Sequence, residues 1–200
     1  MTALFERVFK PANAPLANQY VLEASKNLEP GEHSLAYKLR NSGGIFAQIQ
    51  IAAECMNHLA AGIDTTGDAL CFLMYQLSLP QSSKIQDKLT AELLLTNGTP
   101  LDGLPYLEAV VKEGLRCFPP IPMSQPRYVP DGGREIDGYF IPAGVIVSCQ
   151  AWSVHQLNEH VFVEGGKFMP ERWLDPRATT EMNKLFFTFS AGGRICSGRQ

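Results

Sequence analysis

The chain has 200 residues, 45% of them hydrophobic, and a formal net charge of −3 at pH 7. That length buries a substantial core as one domain, and the near-neutral charge argues against nucleic acid or an anionic membrane surface as a partner. The five cysteines, Cys55, Cys71, Cys117, Cys149 and Cys196, are widely spaced and form no CxxC pair, which argues against a disulfide framework and a zinc site and suits a reducing compartment.

Residues 1–44 show no chemistry and are read as a lead-in. Met1–Lys10 has no uninterrupted apolar run, so no signal peptide or membrane anchor is expected and the default location is cytoplasmic. Pro11, Pro15, Pro30-Gly31 and Asn41-Ser42-Gly43-Gly44 punctuate two weak helical patterns, Leu16–Leu28 and His33–Leu39.

From Ile45 to Leu79 only Gly62 and Gly67 weaken a helical pattern. The run is about 50 Å long at the α-helical rise. Apolar residues on every side predict a buried helix, and Glu54, His58, Asp64 and Asp68 argue against a membrane span. In its middle, Ala61 and Gly62 let a flat ligand approach the backbone, and Thr65 is placed to bond back to the Ala61 carbonyl. Two readings stay open there: a proton path from acid to hydroxyl, or a packing contact at Gly62 with Thr65 and Thr66 satisfying the backbone.

Pro80 starts the next helix, and Gln81–Leu95 has helical spacing at Ile85, Leu89 and Leu93. Asn97-Gly98-Thr99 is read as a turn rather than a glycosylation acceptor. Residues 104–118 predict a helix opened by Pro105 and stopped by Pro119-Pro120. It puts Glu113 and Arg116 on one face; spacing alone makes these a solvated pair of little energetic weight. Pro119–Pro126 is too proline-rich for regular structure. Glu135–Ile141 and Val145–Gln150 read as a hairpin around Pro142-Ala143-Gly144. Trp152–Leu157 predicts a short helix, with His155 as a hydrogen-bonded packing residue, and Asp175–Met182 predicts a loop. The fold class is mainly α with a small β region.

The chain then reaches Phe189-Ser190-Ala191-Gly192-Gly193-Arg194-Ile195-Cys196-Ser197-Gly198. Glycine lets this backbone turn sharply and bring N–H groups toward a neighbouring atom. If that atom is the Cys196 sulfur, the donors stabilise the thiolate, the metal-binding form. Arg194 offers a fork of donors suited to a carboxylate, and Phe189 can shield the site from water. The other reading is a glycine-rich turn with a buried free cysteine.

This stretch resembles the haem-binding loop of the cytochrome P-450 superfamily, Phe-x-x-Gly-x-Arg-x-Cys-x-Gly, through Phe189, Gly192, Arg194, Cys196 and Gly198. Glu113 and Arg116 resemble its Glu-x-x-Arg helix. Pro170-Glu171-Arg172-Trp173 resembles its Pro-Glu-Arg-aromatic segment, and Ala61–Thr66 its oxygen-binding helix, here residues 45–79. The resemblance covers about residues 45–200. It implies a partial cytochrome P-450 fold, the C-terminal half of a fungal-style enzyme, with the haem-thiolate loop at 189–198.

The resemblance further implies haem b with Cys196 as the axial ligand to iron. Arg194 and Arg127 would hold the propionates, Asp64 and Thr65 would relay protons, and Ile121–Ser124 would contact substrate. Glu113, Arg116 and Arg172 would form a structural triad. The implied reaction inserts one oxygen atom of O2 into a small lipophilic molecule, with secondary metabolism as one setting. Electrons would come from NADPH through a reductase partner. The Asp64-Thr65 pair argues against a peroxide-using variant. Full-length relatives are usually anchored to the endoplasmic reticulum. The family's upstream half and the helix after its cysteine fall outside these residues, so the alternative expectation is a truncated fragment with no activity of its own.

Overall fold

The computed structural model describes residues 14–27, 31–44, 47–96 and 100–199. They form two compact units, Met1–Asp64 and Thr65–Gln200. The boundary falls inside one long helix.

The first unit contains α1 (Ala14–Asn27), α2 (Leu35–Arg40) and the N-terminal half of α3 (Gln48–Ser78). Ser34 starts α2, its hydroxyl accepting the Tyr37 N–H at 3.2 Å, which satisfies one of the donors a helix N-terminus leaves free. Ala47 N–H bonds to Gln50 Oε1 at 2.8 Å at the start of α3. The expected helix over 45–79 is thus present from Gln48, and residues 45 and 46 lie outside the described residues.

The expectation that α3 is buried all round fails. Its buried residues are Ile51 and Ala52, while Leu59, Ile63, Leu70, Met74 and Tyr75 are exposed. An apolar stripe is buried only where a neighbour reaches it. In the second unit Phe118 stacks on Phe72 with ring centroids 5.6 Å apart and Leu73 packs against Gly114, contacts that still leave Phe72 half exposed. Among the described residues no helix is long and apolar enough to cross a membrane.

In the second unit a short 3-10 turn, Pro80–Ser82, leads to α4 (Ser83–Leu94). The buried Ser82 hydroxyl donates to the Gln76 carbonyl at 2.8 Å, closing the C-terminal turn of α3. Next comes α5 (Pro105–Cys117). Pro105 opens α5 where a missing N–H costs nothing. Glu92 of α4 covers the next two donors, accepting the Tyr106 N–H and the Leu107 N–H at 2.8 Å each. A carboxylate there also opposes the helix dipole. Glu92→Ala is therefore expected to cost about 0.5–2 kcal/mol, the range of a lost N-terminal cap. Urea unfolding checks this, and an unchanged midpoint would show that the cap contributes nothing.

Four short strands follow. β1 (Ser124–Tyr128) pairs antiparallel with β4 (Ile146–Gln150), and β2 (Arg134–Ile136) with β3 (Tyr139–Ile141). The expected hairpin around Pro142–Gly144 is corrected. The hairpin turns at Asp137-Gly138, both with positive φ (51° and 78°), the conformation of a tight two-residue turn. Val145 and Gly144 then bond to Val129, returning the chain to β1. The proline-rich run also ends in a strand, because Pro126 sits in a two-stranded sheet where each strand has a free edge.

α6 (Ala151–Leu157), the 3-10 turn Pro170–Leu174 and α7 (Pro176–Leu185) complete the unit. α7 replaces the loop expected over Asp175–Met182. Ala109, Phe162, Trp173 and Met182 form the core, with Leu185 and Phe186 packed against it.

Candidate functional site

α5 carries Glu113 and Arg116 one turn apart, and both side chains are wholly buried. They are not the solvated pair that spacing alone suggests. Glu113 accepts the Arg116 fork, Nε to Oε2 at 2.8 Å and Nη2 to Oε1 at 2.9 Å. Arg172 Nε reaches Oε1 at 3.0 Å, Trp173 Nε1 reaches Oε2 at 2.9 Å, and the Met169 N–H reaches Oε1 at 2.8 Å.

Arg116 Nη1 donates to the carbonyls of His155 and Gly165, and Nη2 to that of Lys167. Arg172 Nη1 donates to the Val163 carbonyl at 2.9 Å. Buried ions are tolerated only when their donors and acceptors are filled, and here the cluster stitches α5 to three carbonyls of the segment 163–167. Sequence reasoning misses Trp173, Met169 and these carbonyls. The aromatic position after Arg172 is the one signal available; a backbone carbonyl has none.

Burial pushes the Glu113 carboxyl up, but the hydrogen bonds and charges of Arg116 and Arg172 outweigh it and hold the group below the usual carboxylate range. Burial lowers Arg116, and Glu113 more than restores it. Burial and the Glu113 charge push the neighbouring Cys117 thiol up to about 12, so it stays protonated and inert. His155, read from sequence as a packing residue, is buried and neutral. Burial pushes its ring down to about 4, and it bonds the Arg116 carbonyl and the Phe187 N–H.

A cavity of about 780 Å³ opens beside this cluster within the second unit. Leu70 and Leu73 of α3 and Val111 and Leu115 of α5 give it apolar walls. Thr65 lines it from α3, Arg127 from β1, and Phe189, Arg194, Cys196 and Gly198 from the last loop. Ile121, Met123 and Ser124 line it as well. Asp64, the residue before Thr65, is exposed and is not part of the wall. Arg127 is tethered through Nη1 to the Pro126 carbonyl at 2.8 Å.

The loop is shaped by Ser190 and Gly192, with φ of 63° and 71°. Ser190 N–H bonds to the Phe187 carbonyl at 3.0 Å, Ile195 N–H to that of Gly192 at 3.1 Å, and Cys196 N–H to that of Phe189 at 2.9 Å. Thr188 Oγ1 ties the loop to the Leu115 carbonyl at 2.9 Å. The N–H groups thus close on the loop's own carbonyls. None of these three N–H groups is directed at the Cys196 sulfur. Cys196 is exposed, so the buried-cysteine reading fails.

Among the described residues no group of three His, Cys, Asp or Glu side chains is placed to hold a metal ion. A metal at the single Cys196 thiol would therefore bring its remaining ligands with it. The surroundings suit such a group. The apolar walls match a flat ring system, the Arg194 and Arg127 guanidinium groups match carboxylates, and the volume lies within the roughly 300–1,000 Å³ of cofactor sites. The residues present fit haem.

The model of the family Cytochrome P-450 matches residues 15–200. Cytochrome P-450 monooxygenase macH of Penicillium terrestre is 40% identical over 155 residues, which is 72% of this chain and 30% of that protein. Cytochrome P-450 monooxygenase hkm5 of Aspergillus hancockii is 36% identical over 156 residues, 74% of this chain and 30% of that protein. Cytochrome P-450 monooxygenase orf2 of Aspergillus niger is 32% identical over 184 residues, 90% of this chain and 36% of that protein. The chain spans about a third of the length of these relatives. With a match that runs from α1 to the cysteine loop, the chain belongs to the cytochrome P-450 family.

Proposed function

We propose that the protein is a haem-dependent monooxygenase that inserts one oxygen atom of O2 into a small lipophilic substrate, in fungal secondary metabolism. One observation carries the reading. A single apolar cavity gathers Cys196, Arg194, Arg127 and Thr65 from three separate segments of the chain. The relatives' names, all monooxygenases, support the reaction class.

Cys196 Sγ would ligate the iron, and Arg194 with Arg127 would neutralise the propionates. Haem b would supply the O2 and electron chemistry when bound, with electrons drawn from NADPH through a reductase. The chain's own groups do the rest. Leu70, Leu73, Val111 and Leu115 offer an apolar substrate its contacts, and Ile121 and Met123 face the same space. Thr65 Oγ1 holds a proton at the cavity wall. Asp64, the residue before it in sequence, is the acidic partner in the proposed relay. Glu113, Arg116 and Arg172 stand outside the chemistry and latch the segment that leads to the cysteine loop.

The test uses purified protein loaded with haem, a reductase and NADPH. A thiolate-type Soret band in the reduced carbon monoxide complex and NADPH-dependent product are expected, and their absence would overturn the function. Thr65→Ala should keep the haem yet lower product formed per NADPH, with the difference diverted to peroxide. Unchanged coupling would return Thr65 to a structural role.

A further inference from the structure

Two main-chain groups, the Arg116 carbonyl and the Phe187 N–H, meet on one imidazole. Arg116 and His155 bond reciprocally: Arg116 Nη1 donates to the His155 carbonyl at 2.8 Å, and His155 Nδ1 lies 3.1 Å from the Arg116 carbonyl. On its other side, His155 Nε2 accepts the Phe187 N–H at 2.8 Å. A ring that accepts at Nε2 carries its proton on Nδ1, so both bonds are made together only by the neutral ring in that tautomer. The ring is fully buried. It stacks on Phe186 at 5.6 Å and meets Phe162 edge-on at 5.7 Å.

From Phe187 the chain enters the cysteine loop directly. The Phe187 carbonyl accepts the Ser190 N–H, and the Phe189 carbonyl accepts the Cys196 N–H. The Phe187 N–H is thus the base of the turn from which Cys196 is presented. The Thr188 hydroxyl holds the same base to the Leu115 carbonyl.

We propose that His155 is a positioning residue for Cys196, coupling the Glu113–Arg116 cluster to the cysteine loop through the Phe187 N–H. The proposal rests on the reading of Cys196 as the functional thiol. A packing role alone would ask only for a ring between Phe162 and Phe186. The Nδ1 bond to the Arg116 carbonyl and the Nε2 acceptor for the Phe187 N–H ask for an imidazole, whereas the bond from Arg116 Nη1 goes to the main-chain carbonyl of residue 155. The charged groups that face the ring are Arg116 and Glu113 of α5; the segment bearing Phe162 presents an aromatic ring, and the end of α7 presents the Leu185 main chain together with the Phe186 ring. Protonation at Nε2 removes the acceptor, so the tie holds at neutral pH and opens as the ring titrates toward pH 4.

Peptide-resolved hydrogen exchange on the protein without cofactor tests this in wild type, His155→Met and His155→Gln. Methionine fills the volume with neither bond; the glutamine amide offers one donor and one acceptor at a spacing close to that of the ring nitrogens. His155→Met should speed exchange across residues 186–198 about tenfold, the order expected for a lost buried hydrogen bond. Residues 108–117 should be unaffected, and His155→Gln should restore protection. In wild type, lowering the pH from 7 to 4 should loosen the same loop after correction for intrinsic exchange, and His155→Gln should abolish that response. If His155→Met does not fold, the comparison of wild type with His155→Gln decides alone. Unchanged exchange in 186–198, equal loosening of 108–117, or the same pH response in His155→Gln would overturn the proposal. Because no haem is present, these outcomes are independent of whether Cys196 ligates iron.

Discussion

Glu113→Gln is expected to destabilise the second unit by about 3–5 kcal/mol, the cost of removing one partner from a buried ion pair. That is a large part of the roughly 5–15 kcal/mol by which domains are stable. The amide keeps the shape but not the chemistry. Five donors converge on the two carboxylate oxygens, and an amide would turn its own N–H groups toward some of them. Arg116, wholly buried, would also lose its counter-charge. Urea unfolding followed by tryptophan fluorescence reads this, because Trp173 is itself a member of the cluster. A loss below about 1 kcal/mol would place the pair in the weak class of exposed ion pairs.

The acid limb has a definite sign. Glu113 titrates lower when folded than its ordinary value of 4.5. Its contribution is complete above that value and fades as the pH falls through the lower native one. Wild type should therefore lose stability steeply below about pH 4.5, and Glu113→Gln should lose less there. His155 adds an earlier component. Its ring is held down at about 4 from 6.5, so its stabilisation is full above 6.5 and declines between those values. An acid transition with the same slope in wild type and Glu113→Gln would remove Glu113 from this account.

What sequence reveals and what it conceals divides along the range of the interactions. The Glu113/Arg116 spacing is local, and helical periodicity by itself puts both on one face of α5. The order of residues in the loop 189–198 is local as well. The five-donor shell of Glu113 is not. It needs an indole from residue 173, an N–H from residue 169 and a guanidinium from residue 172, while Arg116 consumes carbonyls from 155, 165 and 167. No pattern of side chains announces which carbonyls stay free.

α7 does carry local signals: Asp175-Pro176 is a helix opening, and Met182, Leu185 and Phe186 follow at three- and four-residue steps. The β2–β3 hairpin is legible at Asp137-Gly138, a stronger two-residue turn signal than Pro142–Gly144. The exposure of α3 is not legible, since periodicity reports which residues suit an apolar neighbour, not whether one is present.

Of the five cysteines, replacement of Cys196 alone by serine is expected to abolish the thiolate-type Soret band of the reduced carbon monoxide complex. The physical contrast among them is large. Cys117 is buried beside Arg116, with its thiol pushed up to about 12 by burial and the Glu113 charge, and is inert. Within the second unit Cys71 and Cys149 do not line the cavity, whereas Cys196 lines it together with Arg194. Serine at position 196 would present a hydroxyl, which stays protonated at neutral pH and supplies no soft anionic ligand to iron. Loss of the band should therefore be complete rather than graded, with thermal stability close to wild type because the side chain is exposed. Alkylation gives a second readout. Without haem, iodoacetamide should modify Cys196 along with the exposed Cys71 and Cys149; with haem bound, Cys196 should be protected and the other two should not. A thiolate band that survives Cys196→Ser, or one that disappears in a well-folded Cys71→Ser or Cys149→Ser protein, would move the iron ligand elsewhere in the chain.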